Sequence, residues 1–370
     1  MSETITDAIN NIKEATAVKI IFGLIIVIII CALLYYFYIK KLMDRECSIM
    51  TGLYGTLNGK IKSIDKSVAQ CKYNLVDYYI KTSYNCCSGG SYKNDYVGTC
   101  NLINVLKQGC RCLDFEIYSI DDNPVVATST DKNFFVKETY NNVKFSEVMS
   151  IIKNYAFSQG TAPNYADPII LHLRIKSSNQ KMFSNLADLF ESYNNLMLGS
   201  KYSYENHGEN IGSIPLIELM NKLLIIVDKS NNSFMENTKF VEYVNLTSNS
   251  IFMRATRFYD IKYTPDLNEM QEYNKKNITI SMPDNVTNPD NPSAIVVREA
   301  GCQMIGMRFQ SPDQYLAESN EFFDEAGYAF VLKPERLRYI VEYLPEPIPQ
   351  NPAVSYEETN IKSDYYNFNI

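Results

Sequence analysis

Between residues 20 and 39 the chain runs IIFGLIIVIIICALLYYFYI without one charged side chain. Each helical residue advances about 1.5 Å, so such a run covers the roughly 30 Å hydrocarbon core of a bilayer. A helix apolar on every face cannot lie on the surface of a soluble domain, and buried core helices are rarely this long or this pure. A cleaved secretory signal would have a shorter apolar region and a small-residue cleavage site, and neither is present. Tyr35, Tyr36, Phe37 and Tyr38 close the run as an aromatic belt, followed by Lys40, Lys41 and Arg45. The other flank is acidic on balance, with Glu3, Asp7 and Glu14 against Lys13 and Lys19. Residues 20–39 therefore read as a single-pass transmembrane helix whose partner is the lipid bilayer. The basic C-terminal flank predicts a short N-terminal segment, 1–19, outside and the bulk of the chain in the cytoplasm.

The remainder is long enough for one large domain of about 250 residues with appendages. At 46% hydrophobic and 21% charged, its composition supports a sizeable core. The formal net charge of −7 argues against a nucleic-acid partner and against broad adsorption to anionic lipid. Nine cysteines, an odd number, are spread along the chain without the spacing of a small disulfide framework, in keeping with a cytoplasmic domain. Four Asn-X-Ser/Thr triplets, at Asn231, Asn245, Asn277 and Asn285, pull towards a luminal placement, although an Asn-rich chain produces such triplets by chance.

Organisation follows from the alternation of short apolar runs with helical periodicity. Residues 40–70 read as a juxtamembrane stalk or helix. Strands are expected at 112–118, 124–127, 169–175, 223–227, 240–244, 251–255, 278–282, 303–309 and 329–332, and helices at 145–157, 182–198, 216–222 and 266–273. Repeated βα units over 71–340 favour a TIM-type (β/α)8 barrel over an open sheet. Residues 199–212 form a polar stretch readable as an insertion. The Pro-, Asn- and acid-rich end, 341–370, reads as a flexible tail.

Several blocks resemble one enzyme family. LVDYYIKTSYN (75–85), NVLKQGCRCLDFEIY (104–118), NPVVATST (123–130) and DPIILHLRI (167–175) are similar to the X half of phosphoinositide-specific phospholipase C. AGCQMIGMRFQSPD (300–313) and GYAFVLKPERLR (327–338) resemble its Y half. The resemblance implies a phospholipase C-like barrel and a phosphoric diester hydrolase ancestry. It also implies two catalytic imidazoles at the barrel mouth, which suit proton transfer because they titrate near neutrality.

This chain has only two histidines, His172 and His207, and neither stands at those positions. Tyr84, in Thr82-Ser83-Tyr84-Asn85, takes the first. Thr130 takes the second, with Thr128 adjacent. Neither a phenol nor an aliphatic hydroxyl shuttles protons near pH 7. Of the calcium ligands that the resemblance implies, Asn85, Asp114 and Glu116 remain, whereas the fourth falls at Arg174. A guanidinium cannot ligate Ca²⁺, so the metal site is expected to be lost and Arg174 to pair with Asp114 or Glu116. Without the resemblance those two acids would read as solvated strand residues. His172 is either a displaced catalytic imidazole or a hydrogen-bonded core histidine, and His207 reads as surface. Arg111 matches the family's GCRC arginine and is expected to organise the barrel mouth. The lysines that hold inositol phosphates, on a strand read here as near the start of the Y half, give way to Leu224-Ile225-Ile226-Val227-Asp228-Lys229. A register shift would let Lys229 substitute. Lys333 and Arg336 match family positions, with a helix start and a solvated face as their alternative roles.

The expectation is thus a single-pass, membrane-anchored phospholipase C-like pseudoenzyme that binds phosphoinositide headgroups or a protein partner, without cofactor. The alternative is an active phosphodiesterase with altered chemistry. Abundant Asn, Ile, Lys and Tyr with no Trp read as an AT-rich coding genome, pointing to a protist or a large DNA virus, with a host or virion membrane in the second case.

Overall fold

Strands buried on both faces must be apolar at successive positions, and runs such as IILHL and LLIIV meet that demand. A computed structural model describes residues 2–65, 67, 69–130, 136–341, 347–348, 351, 354 and 356–370, with the backbone alone for 2–17 and 69–70. Among these residues the parallel strands are β1 (Tyr78–Ser83), β2 (Cys112–Ile120), β3 (Ile169–Lys176), β4 (Leu223–Asp228), β5 (Leu246–Ser248), β6 (Met253–Arg257), β7 (Ile278–Met282) and β8 (Met304–Met307). Their order is β5-β4-β3-β2-β1-β8-β7-β6, so the ring is hydrogen-bonded everywhere except between β5 and β6. This is a nearly closed (β/α)8 barrel.

The period-2 alternation of each strand divides the core in two. Tyr78, Ile80, Ile170, Leu224, Ile226, Ile280 and Met304 fill the barrel interior. Leu113, Phe115, Leu171, Leu173, Ile225 and Val227 point outwards, into the layer formed by Phe145, Phe183, Phe190 and Phe240. The inward positions turn polar towards the C-terminal ends: after Cys112 come Asp114 and Glu116 on β2, and after Ile170 come His172 and Arg174 on β3. An antiparallel strand, Asn123–Val126, folds back on the end of β2, and another, Phe330–Leu332, lies against the start of β1.

Three expectations shift. Residues 240–244 are not a strand: Asn237 accepts a hydrogen bond from the Phe240 amide and caps a short helix, Thr238–Val241, and the strand begins at Leu246. β1 and the helix Gln314–Ala326 went unassigned in the sequence. The stalk-or-helix reading of 40–70 resolves into helix as far as Tyr54. Helix α1, Ser2–Tyr54, runs unbroken through the apolar segment and onto the barrel. From Val18 it is long and apolar enough to cross a membrane, and its apolar window is wholly exposed. Beyond that window Ile39, Leu42, Glu46, Met50 and Tyr54 recur three or four residues apart, the spacing of one helix face. Leu42 and Met50 are buried there, and the Tyr54 ring lies 5.5 Å from that of Phe309.

The partner of this face is helix α2, Thr99–Lys107, which descends from the mouth loop after β1 to the base of β2. The two helices run parallel: Thr51 Oγ1 accepts from Asn104 Nδ2 (3.2 Å), and the Tyr54 carbonyl accepts from Gln108 Nε2 (3.1 Å). A disulfide, Cys47–Cys100, joins them, a single bridge in a chain whose cysteine spacing shows no disulfide framework. Because α1 descends alongside α2, its apolar N-terminal part projects from the mouth side of the barrel. Tyr339–Ile370 is a separate unit with a hairpin, Asn360–Lys362 paired with Asn367–Asn369; parts of the expected tail lie outside the described residues.

Closing a loop across 53 residues restricts the unfolded chain, so Cys100→Ser should cost about 2–4 kcal/mol. Thermal unfolding in detergent should show a lower midpoint for the variant. Reductant should lower the wild-type midpoint and leave the variant unchanged.

Candidate functional site

The parallel register of β2 and β3 sets Asp114 opposite His172, Glu116 opposite Arg174 and Tyr118 opposite Lys176. The first four side chains face inward near the mouth and are almost wholly buried. Arg174 is the hub. Its Nη2 donates to Asp114 Oδ1 (2.7 Å) and Asn85 Oδ1 (2.8 Å), its Nε to Asp114 Oδ2 (3.0 Å), and its Nη1 to Glu116. Asn85, at φ 46°, directs its backbone N–H to Asp114 Oδ1 (3.1 Å). The guanidinium also lies 4.5 Å from the centroid of the Tyr84 ring. Glu116 Oε2 accepts from the Tyr118 hydroxyl (2.9 Å) and the Ser129 amide (3.0 Å).

These partners decide the charge states. Burial pushes the Asp114 carboxyl up, but the Arg174 guanidinium and the His172 hydrogen bond outweigh it and hold Asp114 well below the usual carboxylate range. Burial likewise opposes the charge of Arg174, and Asp114, Tyr84 and Glu116 together keep it protonated. His172 places Nδ1 2.7 Å from Asp114 Oδ2 and Nε2 3.0 Å from Ser248 Oγ, with no exposed surface. It is a hydrogen-bonded core histidine.

The residues do not fit a calcium ion. A hard cation needs the carboxylate and amide oxygens of Asn85, Asp114 and Glu116 converging on one point, and Arg174 already donates to all three. Among the described residues no cluster of three or more His, Cys, Asp or Glu is arranged to hold a metal.

The positions of the missing imidazoles are equally engaged. The Tyr84 hydroxyl accepts from Arg257 Nη1 (3.1 Å), which also donates to the Pro283 carbonyl (2.7 Å). Thr130 gives both its amide (2.7 Å) and its hydroxyl (2.6 Å) to Glu138 Oε2, and Thr128 donates to the Tyr92 carbonyl (3.0 Å). Burial opposes ionisation of Glu138, but Lys93, Thr130 and Ser129 lower its carboxyl to about 2. Sequence reasoning missed Tyr118, Glu138, Ser248 and Arg257. Ser248 and Arg257 end barrel strands, which is the signal that would have found them.

Other expected site residues lie elsewhere. Arg111 precedes β2 and is at the barrel base, where it donates to the Ala156 carbonyl (2.9 Å) and Asn164 Oδ1 (2.7 Å); it does not organise the mouth. Lys333 follows a strand antiparallel to β1, so it too is at the base. It is buried against the Asn274 carbonyl (2.8 Å), and burial lowers its ammonium to about 8. Arg336 forms a paired contact with Glu299 (2.9 and 2.7 Å) on the surface. Neither base residue can meet a phosphate at the mouth. Lys229 does follow β4 on the mouth side, but its ammonium lies 3.9 Å from Glu205. His207 is exposed, as expected.

Replacing Arg174 with Met would strand two buried carboxylates, at a cost of about 3–5 kcal/mol by chemical denaturation. The pH dependence should also invert. Asp114, depressed in the fold, contributes stability above about pH 4, its unfolded range, and loses it as pH falls further. Without Arg174 the stranded acids favour protonation, so the gap between variant and wild type should narrow from pH 7 to pH 5.

Residues 71–229 match the family described as phosphatidylinositol-specific phospholipase C, X domain. The match takes in β4, so the strand ending at Asp228 belongs to the X half and not to the start of the Y half. No curated protein sequence matches the chain. Among solved structures, PLC21 of L. pealei superposes with a TM-score of 0.59 at 20% identity, covering 73% of this chain and 38% of that one. PLC21 of S. officinalis gives 0.58 at 20% identity, covering 75% and 39%. The chain thus spans about two fifths of those proteins, and at this identity the likeness is one of fold. Residues 71–229 thus match the phosphatidylinositol-specific phospholipase C X domain, and the barrel as a whole is phospholipase C-like in fold.

Proposed function

We propose that the protein is a membrane-anchored, catalytically inactive phospholipase C-like barrel, used for what its mouth and rim bind at a bilayer. One observation carries the reading: Arg174 occupies the place a metal would need and bonds to Asn85, Asp114 and Glu116 at once. The family's chemistry needs a positioned acid and base, each worth typically 10²–10⁴-fold. Tyr84 and Thr130 supply neither, and both hydroxyls are already held by neighbours. The parallel course of α1 and α2 supports a mouth turned towards the bilayer, where phosphoinositide headgroups or a membrane protein would be met.

A specific geometry favours the active alternative. Ser248 Oγ, His172 and Asp114 form a hydroxyl–imidazole–carboxylate chain with contacts of 3.0 and 2.7 Å. All three are fully buried, which leaves a substrate no approach to the hydroxyl. Full-length protein in mixed micelles, given phosphatidylinositol or its bisphosphate with and without Ca²⁺, should release no inositol phosphate above the blank. A metal-dependent rate abolished by His172→Ala would overturn the inactive reading.

Two features compete over which side of the membrane the barrel occupies. Lys40, Lys41 and Arg45 bias it towards the cytoplasm. The Cys47–Cys100 disulfide requires an oxidising compartment. A charge flank is a bias, whereas a covalent bond demands an oxidant, so we favour the oxidising side, reversing the expectation from the flanking charges. Asn285 is exposed, whereas Asn231 and Asn245 are tied through Nδ2 to the Ser177 (2.8 Å) and Tyr202 (2.9 Å) carbonyls. Expression in secretory-pathway membranes should add glycan at Asn285 and none at Asn231 or Asn245. Complete absence of glycan, with Cys47 and Cys100 freely alkylated, would return the barrel to the cytoplasm.

A further inference from the structure

Where α1 leaves its apolar stretch, it and the barrel rim border an open cavity of about 460 Å³. Tyr35, Tyr38 and Arg45 line it from the helix. Tyr35 and Tyr38 belong to the aromatic belt, and Arg45 stacks 4.7 Å from the Tyr38 ring centroid while donating to its hydroxyl (2.9 Å). A lipid lying beside the span therefore holds its phosphate at the depth of this cavity.

The rim supplies Arg308, 1% exposed. Its guanidinium donates to the Pro289 carbonyl, to Asn288 Oδ1 (2.5 Å) and weakly to the Gly90 carbonyl (3.4 Å). Among the described residues it makes no ion pair, and its Nε has no hydrogen-bond partner. A buried guanidinium without a carboxylate is costly unless an anion reaches it. Across the cavity Glu46 Oε2 is buried and equally without a donor. Asp95 is satisfied, accepting from the Ser91 and Tyr96 amides (2.8 Å each), and Lys93 pairs with Glu138 (2.7 Å). Three cations, Arg45, Lys93 and Arg308, face two acids, so the lining is net positive, and burial with the neighbouring, hydrogen-bonded Asp95 raises the Glu46 carboxyl to about 8. An anion acceptor and a lone oxygen seeking a donor thus face one space at headgroup depth.

We infer that this cavity is a phospholipid-headgroup site, with the lipid phosphate held by Arg308 and Arg45 and a headgroup hydroxyl or ammonium donated to Glu46. It lies outside the barrel mouth, between rim and membrane helix. The inference rests on α1 spanning the bilayer, and not on whether the mouth is catalytic.

The test uses the full chain reconstituted in phosphatidylcholine bilayers containing phosphatidylserine, released into detergent and weighed by native mass spectrometry. One phospholipid should remain bound per chain, and Arg308→Gln should lower its occupancy at least tenfold. Because Arg308 is buried, Arg45→Gln provides a second variant at an exposed position, expected to lower occupancy several-fold with an unchanged melting temperature. Equal retention by wild type and Arg45→Gln would mark the lipid as annular and overturn the site. Displacement of the lipid by millimolar inorganic phosphate would make it a free-anion site and overturn the lipid assignment. Extraction of the chain from membranes by alkaline carbonate would instead refute the anchor itself, separating that failure from failure of the site.

Discussion

The guanidinium of Arg174 is the interaction on which the barrel mouth depends. Two carboxylates at inward positions of β2 would repel each other and lose their hydration when buried. One planar cation with donors in a fixed fork meets Asp114 and Glu116 together, and its remaining donor capacity takes up Asn85. His172 then shares Asp114 Oδ2 with the Arg174 Nε, and Ser248 binds His172. The polar upper layer of the barrel interior is thereby linked from Asn85 to Ser248 through side chains alone. Of this network only Asn85 Nδ2 is left buried without a partner.

Helix α1, long and apolar enough to cross a membrane, is as much a part of the barrel as the barrel's own helices. Its last four turns use the same face that a barrel helix would, packing Leu42 and Met50 inward, and a disulfide ties it to α2. An anchor joined through a flexible stalk would let the domain turn freely over the bilayer. Continuous helix from the apolar segment to Tyr54 removes that freedom and fixes the C-terminal ends of the strands on the side from which the apolar segment projects.

Much of this was legible in the sequence, and the exceptions have physical causes. The span, the barrel and the pairing of Arg174 with the β2 acids follow from hydropathy, βα alternation and the family blocks. Arg111 and Lys333 were misplaced because a matched motif says which residue is present, not which end of a strand it occupies. Arg111 stands before β2, and Lys333 after a strand that runs antiparallel to β1, so both belong to the base. The helical face through Ile39, Leu42, Met50 and Tyr54 was present in the sequence but was outweighed by the polar residues between. The Cys47–Cys100 pairing depends on two helices lying side by side, which no local pattern encodes.

Rigid continuity between span and barrel has a mechanical consequence. A transmembrane helix longer than the local hydrocarbon thickness tilts to bury its apolar length, and one that is too short thins the bilayer around it. In most single-span proteins that tilt ends at a flexible juncture. Here α1 would carry it into the barrel, so bilayers of different thickness would set the mouth at different angles to the lipid surface. Membrane thickness would then act on this protein as a lever, with the Cys47–Cys100 bond at its fulcrum.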